Sequence, residues 1–521
     1  MIEISSVTFT YPNSTKPVLK DVSLRVGEEA ELVLVAGRTG CGKSTLLSMM
    51  NSLVPSFTGG ELCGDVMLDG VSIKGTPPRE LAHRIGFVAQ DPAFGFVTDT
   101  VEEELAYGME QLGLDAQTMR RRVEEALDLL GIADLRSRSL QTLSGGQQQR
   151  VAIGSVLTMH PQTLILDEPT SALDPTAAEE VLALLSRLVH DLGLTVVLAE
   201  HRMERVVPFA DRIATIEEGR VRVGKPEEIL QNSPVAPPVI ELGRLLKWNP
   251  LPLSIRDAKK KIAGIELPKI RRAVVSRGEC VLEANALTVS YGNLAAVKNV
   301  NLDLSSGETT VLLGRNGSGK SSLLWALKGK KQSGIIHLAG GKNKSDDFRS
   351  VALVPQTAAD LLYLETVAEE CALADEQASV VPGTARKLLD RFVPGIADES
   401  HPRDLSEGQR LALVLALILA GSPQVLALDE PTRGLDYDGK KQLAKVIKDQ
   451  AASGVAIIVA TNDVEFAALI ADRMIVLAEG EVVSEGDAFD VFAQSPALAP
   501  QVSKILGPDW LTVEQVSAAL V

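Results

Sequence analysis

The sequence predicts an α/β chain made of two copies of one domain, each built on a mainly parallel sheet. Three observations lead there. The 521 residues exceed what one compact core organises, so two or more domains are expected. A glycine-rich segment between an apolar run and a helical pattern occurs twice, followed each time by the same later motifs in the same order. Short apolar runs alternate with helix-period stretches, the pattern of buried parallel strands covered by helices on both faces.

The repeat sets the organisation. Gly37-Arg38-Thr39-Gly40-Cys41-Gly42-Lys43-Ser44-Thr45 recurs as Gly314-Arg315-Asn316-Gly317-Ser318-Gly319-Lys320-Ser321-Ser322. Leu143-Ser144-Gly145-Gly146-Gln147 recurs as Leu405-Ser406-Glu407-Gly408-Gln409, and Leu166-Asp167-Glu168-Pro169-Thr170 as Leu428-Asp429-Glu430-Pro431-Thr432. Order is kept and spacing nearly so, which makes two domains and no short-period solenoid. Even the tails correspond: Ser233, Pro234, Pro237 and Trp248 are echoed by Ser495, Pro496, Pro500 and Trp510. The expected domains are therefore 1–258 and 280–521, each with its tail. The least repeated stretch, 259–279, reads as a connector. Its Lys259-Lys260-Lys261 and Arg271-Arg272 suit a solvated linker, with contact to acidic lipid headgroups as the alternative.

Within each copy, the apolar runs Leu32–Val35 and Thr310–Leu313 read as buried strands that end in the glycine loops. Ser44–Met50 and Ser321–Leu327 read as the helices that follow. Thr163–Leu166, Val425–Leu428, Thr195–Leu198 and Ala456–Val459 read as further core strands.

Composition narrows the function. Hydrophobic residues make up 45% and charged residues 23% of the chain, an ordinary globular balance. A net charge of −16 repels phosphate backbones, so no nucleic-acid partner is expected. A local phosphate cradle still works against that charge. The four cysteines are far apart and form no CxxC pair, which fits a reducing cytosol and no metal or disulfide role. The start MIEISSVTFTYP lacks the pattern of a signal peptide. The longest apolar run, Leu411 to Ala420, is about half of the roughly 20 residues a spanning helix needs.

The glycine loops carry the first chemistry. GxxxxGK[ST] lets backbone N–H groups converge on phosphate oxygens at a helix N-terminus. The cradles are thus Gly37 to Thr45 and Gly314 to Ser322. Lys43 and Lys320 reach the β- and γ-phosphates, and Ser44 and Ser321 can ligate Mg²⁺. Cys41 occupies a free position of the loop, and its side chain has no assigned role. The Asp-Glu pairs carry the second. Asp167 and Asp429 can hold the Mg²⁺ shell, while Glu168 and Glu430 stand where a carboxylate polarises an attacking water.

Leu-Ser-Gly-Gly-Gln resembles the signature of ABC ATPases, and other positions resemble that family's elements in the same order. The resemblance covers nearly all of both halves. It implies tandem ABC nucleotide-binding domains, each with a helical signature subdomain, that bind ATP with Mg²⁺ and hydrolyse it. It implies adenine stacking on Tyr11 and Tyr291. Gln90 and Gln356 resemble the Q-loop, which meets Mg²⁺ and the membrane partner. Ser171 to Asp174 and Arg433 to Asp436 resemble the D-loop, and His201 the switch histidine. In that family the domains pair head to tail, so both sites can form within one chain. One would join Lys43, Gln90, Asp167, Glu168 and His201 to Ser406, Gly408 and Gln409. The other would join Lys320, Gln356, Asp429 and Glu430 to Ser144, Gly145, Gly146 and Gln147.

The copies depart from one another. Glu407 replaces the first signature glycine, Ala412 stands where the first copy has Arg150, and Asn462 stands at the switch position of His201. An amide cannot carry the proton or charge of an imidazole. Segments 51–60 and 90–105 further resemble the fused ATPase subunits of energy-coupling factor (ECF) transporters. There Thr100 and Glu103 form a capping box, and Phe94 to Val97 offer a docking groove whose alternative is local packing. That resemblance implies vitamin or micronutrient uptake, with a membrane scaffold subunit and a substrate-binding membrane subunit as partners. It implies a peripheral position on the cytoplasmic face of the cell membrane. A sugar-type importer ATPase and a ribosome-associated tandem ABC protein are the alternatives. The second fits poorly with an acidic chain and a short connector.

Overall fold

The apolar runs become the middle strands of two six-stranded sheets. The computed structural model describes all residues except 13, 172, 265–266, 269–276, 330–332, 339–349 and 521. It divides into two compact units, Met1–Ser254 and Ile255–Val521.

In the first unit the sheet order is Arg220–Gly224, Arg212–Glu217, Leu32–Gly37, Thr195–Ala199, Thr163–Asp167 and Ile85–Val88. All neighbours are parallel except the outer pair Arg220–Gly224 and Arg212–Glu217. Leu32–Gly37, Thr195–Ala199 and Thr163–Asp167 are buried along their whole length, which is why they carry no polar alternation. The second unit repeats the order with Glu481–Asp487, Arg473–Ala478, Thr309–Leu313, Ala456–Thr461, Val425–Asp429 and Val351–Val354. The consequence for function is positional. The glycine loop, the Asp-Glu turn and the switch segment leave the carboxyl ends of three adjacent strands, the edge where open α/β sheets bind ligands.

Each unit also carries an antiparallel sheet that the sequence reading did not anticipate. In the first it is Leu19–Val26, Ile2–Thr10, Glu61–Leu68 and Val71–Ser72; in the second, among the described residues, it is Leu294–Ser305, Cys280–Tyr291 and Ser333–Leu338. The reason is a break in the alternation. Ile2 and Ile4 point inward, then the register shifts and Val7 and Phe9 do so. Ser6 at φ 48° takes up the extra residue, so the period of two is interrupted mid-strand.

The helical subdomain packs Val101–Gln111 and Ala116–Leu130 against Gly145–Leu157. A Cβ on Gly154 would lie 2.5 Å from Leu130 and 2.7 Å from Leu105, so glycine lets these three helices close. The second unit builds the same core from Val367–Ala378, Thr384–Phe392 and Glu407–Ala420, around Cys371, Leu389, Leu413 and Ala416. The apolar run Leu411–Ala420 is thus core. No helix among the described residues is long and apolar enough to cross a membrane. The helix Ile255–Ile262 packs on Gln501–Leu506 and spans the expected 258/259 boundary. Much of the expected connector, including Arg271 and Arg272, lies outside the described residues.

Candidate functional site

The strand Leu32–Gly37 delivers the first glycine loop to the helix Lys43–Met50. Gly42 precedes that helix at φ 105°, and no side chain caps it. Gly319 does the same at φ 102° before Lys320–Leu327, where a Cβ would sit 2.2 Å from the Ala296 carbonyl oxygen. These two positions require glycine, and they leave helix N-termini without a side-chain cap to compete with a phosphate. Lys43 Nζ is buried and donates to the Gly37 and Arg38 carbonyls at 3.0 and 3.2 Å. Lys320 Nζ donates to Gly314 and Arg315 at 2.7 and 3.1 Å. Each lysine is curled over its own loop.

The neighbouring strands supply the carboxylates. Asp167 and Asp429 end their strands, buried, each hydrogen-bonded to the loop serine, Ser44 or Ser321. Burial raises both carboxyls above the usual aspartate range, and the serine hydroxyl and loop lysine oppose it. In Asp167 the Glu168 carboxylate adds to the rise, and His201 opposes it. In each aspartate one buried oxygen, Oδ1, has no hydrogen-bond partner. A buried unpartnered carboxylate oxygen beside a serine hydroxyl fits a hard divalent cation whose remaining ligands are phosphates and water. Among the described residues no group of three His, Cys, Asp or Glu could hold a metal alone.

Glu168 and Glu430 adopt φ of 50° and 47°, a left-handed conformation uncommon outside glycine. Their N–H groups donate to Ala199 and Ala460 at 3.0 and 2.8 Å, which extends the parallel ladder while the side chains turn toward the loop. Here the copies diverge. Glu168 Oε1 lies 2.7 Å from His201 Nε2, and its Oε2 accepts from Gln90 Nε2 at 3.0 Å. Both Glu168 and His201 are buried. Glu430 Oε1 lies 3.7 Å from Lys320 Nζ, while Oε2 accepts from the Asn462 N–H at 3.1 Å and the Thr461 hydroxyl at 3.4 Å. In the first unit an imidazole and an amide aim the carboxylate. In the second the backbone and a lysine hold it.

The signatures sit at helix starts. Ser144 and Gln147 form a reciprocal capping box on Gly145–Leu157, and Ser406 and Gln409 do so on Glu407–Ala420. Glu407 pairs with Arg410 of its own helix at 2.8 Å, so its carboxylate is partly neutralised within its own turn. Arg150 pairs with Glu180 at 2.8 Å; Ala412 and Gln442 stand at those two places in the second unit. The D-loop residues Asp174 and Asp436 cap the helices Pro175–His190 and Tyr437–Ala452. Tyr11 is half-buried with its hydroxyl 2.9 Å from Thr45 Oγ1, beside the loop helix, whereas Tyr291 is 47% exposed. Gln356 is exposed after Val351–Val354.

Sequence reasoning missed three buried carboxylates. Glu104 Oε2 accepts from the Val97 and Thr98 N–H groups at 3.0 Å and from the Thr98 hydroxyl at 2.9 Å. Glu370 Oε1 does the same for the Tyr363 and Leu364 N–H groups, the second at 2.7 Å. The third is Glu200, which bonds both Thr170 and His201. Glu104 and Glu370 follow other acidic residues that are solvated, and burial alone distinguishes all three.

A profile of the ABC transporter family matches residues 19–171 and 297–433. The chain belongs to the ABC transporter family. A relative from Streptomyces coelicolor is 51% identical over 568 residues, covering 100% of both chains. One from Methanosarcina mazei is 35% identical over 94% of this chain and 90% of its own. Both carry the name of an ABC transporter ATP-binding protein. Among solved structures, an archaeal ribosome recycling factor, aABCE1, in complex with the stalk protein aP1 matches with a TM-score of 0.61 and 20% identity. That match covers 94% of this chain and 92% of that one, and shows the shared fold. This ABC chain therefore carries two ATP-binding domains of a kind that hydrolyses ATP.

Proposed function

We propose that this chain is the ATP-hydrolysing, energy-coupling subunit of an ECF-type importer for a vitamin or similar micronutrient. It works at the cytoplasmic face of the cell membrane, bound to a membrane scaffold subunit that in turn holds a substrate-binding membrane subunit. The observation that carries this reading is the segment after each Q-loop glutamine. In the first unit the turn Pro92–Gly95 leaves Phe94 91% exposed, with Val97 also exposed. In the second, Tyr363 follows Ala358–Leu361 and is 76% exposed. Glu104 and Glu370 pin both loops from below. In the second unit Tyr363 also rims a cleft of about 530 Å³ with Leu361, Leu373, Ala374 and Leu417. Large exposed apolar side chains held rigidly beside the glutamine that contacts Glu168 suit a partner that senses the nucleotide state.

In this reading the lysines hold the phosphates, and Glu168 accepts the proton of the attacking water under the aim of His201 and Gln90. Ser44 and Asp167 with Gln90, and Ser321 and Asp429 with Gln356, would hold Mg²⁺, which would supply neutralisation of charge on the β- and γ-phosphates. The domains pair head to tail within the chain. Ser144, Gly145, Gly146 and Gln147 close one ATP, and Ser406, Gly408 and Gln409 close the other. The first site does most of the hydrolysis, because Asn462 stands at the switch position where the first unit has His201.

The test is affinity purification of the tagged chain from solubilised membranes of its own host, with mass identification of what accompanies it. The expected companions are two integral membrane proteins. Their loss in the Phe94→Asp/Tyr363→Asp variant, with ATPase of the isolated chain unchanged, supports docking through these loops. Co-sedimentation with ribosomes in place of membrane proteins would favour the ribosome-associated reading, against which the −16 charge already weighs.

A further inference from the structure

We propose that Glu200 is a positioning residue that locks the His201 segment to the turn after Glu168. The proposal rests on the reading of Glu168 and His201 as the reacting pair. Glu200 is 1% exposed, and its carboxylate receives four donors. Oε1 accepts from the Thr170 N–H at 2.9 Å and from the Thr170 hydroxyl; Oε2 accepts from the His201 N–H at 2.9 Å and the Arg202 N–H at 3.3 Å. Arg205 Nη1 adds a bond to the Thr170 carbonyl at 3.3 Å. The two backbone segments that carry Glu168 and His201 are thereby one hydrogen-bonded unit, and the 2.7 Å contact between their side chains is set by that unit. Only an acceptor at both ends of the side chain satisfies this arrangement.

The second copy lacks the bridge. Thr461 stands at the place of Glu200, and Thr432, the counterpart of Thr170, is left with a buried hydroxyl that has no hydrogen-bond partner. The freed Asn462 N–H turns to Glu430 instead. The segment is tied by a different contact, the buried pair Asp463 and Lys440 at 2.7 Å, which runs to the helix after the D-loop and leaves Thr432 untouched. The bridging glutamate and the switch histidine are thus present together in one copy and absent together in the other. A carboxylate needed only to fill the core gives no reason for that pairing.

The experiment is a double-variant cycle on the full chain, with steady-state ATPase and ATP binding measured for Glu200→Gln, His201→Ala and the two combined. Glutamine keeps the volume but turns an N–H₂ group toward two donors. Glu200→Gln is expected to lower kcat about tenfold or more and to leave the ATP dissociation constant within about twofold. The combined variant is expected to be no slower than His201→Ala, to within about twofold, because the bridge acts through the histidine. Turnover near wild type in Glu200→Gln, or losses that multiply in the combined variant, would overturn the proposal. Should Glu200→Gln fail to fold, Thr170→Val removes one donor at constant shape and enters the same cycle with the same two criteria. His201→Ala at full speed would refute the parent reading; a slow His201→Ala beside a fast Glu200→Gln refutes this proposal alone.

Discussion

Replacing His201 with alanine should cost far more activity than replacing Asn462. His201 Nε2 meets Glu168 at 2.7 Å with both groups buried, so no water replaces the lost bond cheaply. A hydrogen bond to a charged group contributes about 1.5–3 kcal/mol, which is roughly a ten- to hundredfold loss of rate. Losing one transition-state donor costs on the order of 10²-fold, which points to the upper end. In the second unit the bond to Glu430 comes from the Asn462 backbone N–H, and alanine retains it. Asn462→Ala should therefore stay within about threefold of wild type, because that charged contact survives. Matched steady-state ATPase assays, with ATP binding checked for each variant, make the comparison. Equal damage from the two substitutions would mean that the sites are functionally equivalent, and the asymmetry argument would fail.

Glu168→Gln should bind ATP normally and nearly abolish turnover, since the amide cannot take the proton of the attacking water; turnover near wild type would remove the first site as the main engine. Glu104→Ala and Glu370→Ala should weaken recovery of membrane partners while ATP binding by the isolated chain is unchanged, because each releases a loop held by buried N–H bonds; undiminished recovery would show that the loops do not need the anchor. Burial pushes the Cys371 thiol up to about 11, so at pH 8 it is almost wholly protonated and should resist iodoacetamide in the folded chain, whereas exposed Cys63 reacts. The thiolate is the nucleophile, so reactivity of Cys371 should rise only as pH climbs toward that value or the chain unfolds. Mass mapping of the labelled cysteines checks it.

The sequence alone determined the elements whose signals are local. Leu32–Gly37 and Thr163–Asp167 are buried on both faces, so their apolar runs needed no context, and the glycines at 42 and 319 announce a conformation that few other residues adopt. The Thr100–Glu103 capping box was legible for the same reason, since its partners lie three residues apart; it is present as expected. The twofold repeat made the domain count legible, and the replacement of His201 by Asn462 exposed the asymmetry. Tertiary structure decided everything that depends on residues distant in the chain. Gln90 meets Glu168 across 78 residues and Glu200 meets Thr170 across 30, and no periodicity encodes those encounters. The antiparallel sheets were hidden because bulges at Ser6 and Ala286 interrupt the alternation that would have announced them. Glu104, Glu200 and Glu370 look in sequence like the solvated acids around them. Only the packed fold removes water from a carboxylate and surrounds it with N–H donors, and that desolvation separates a positioning residue from a surface charge.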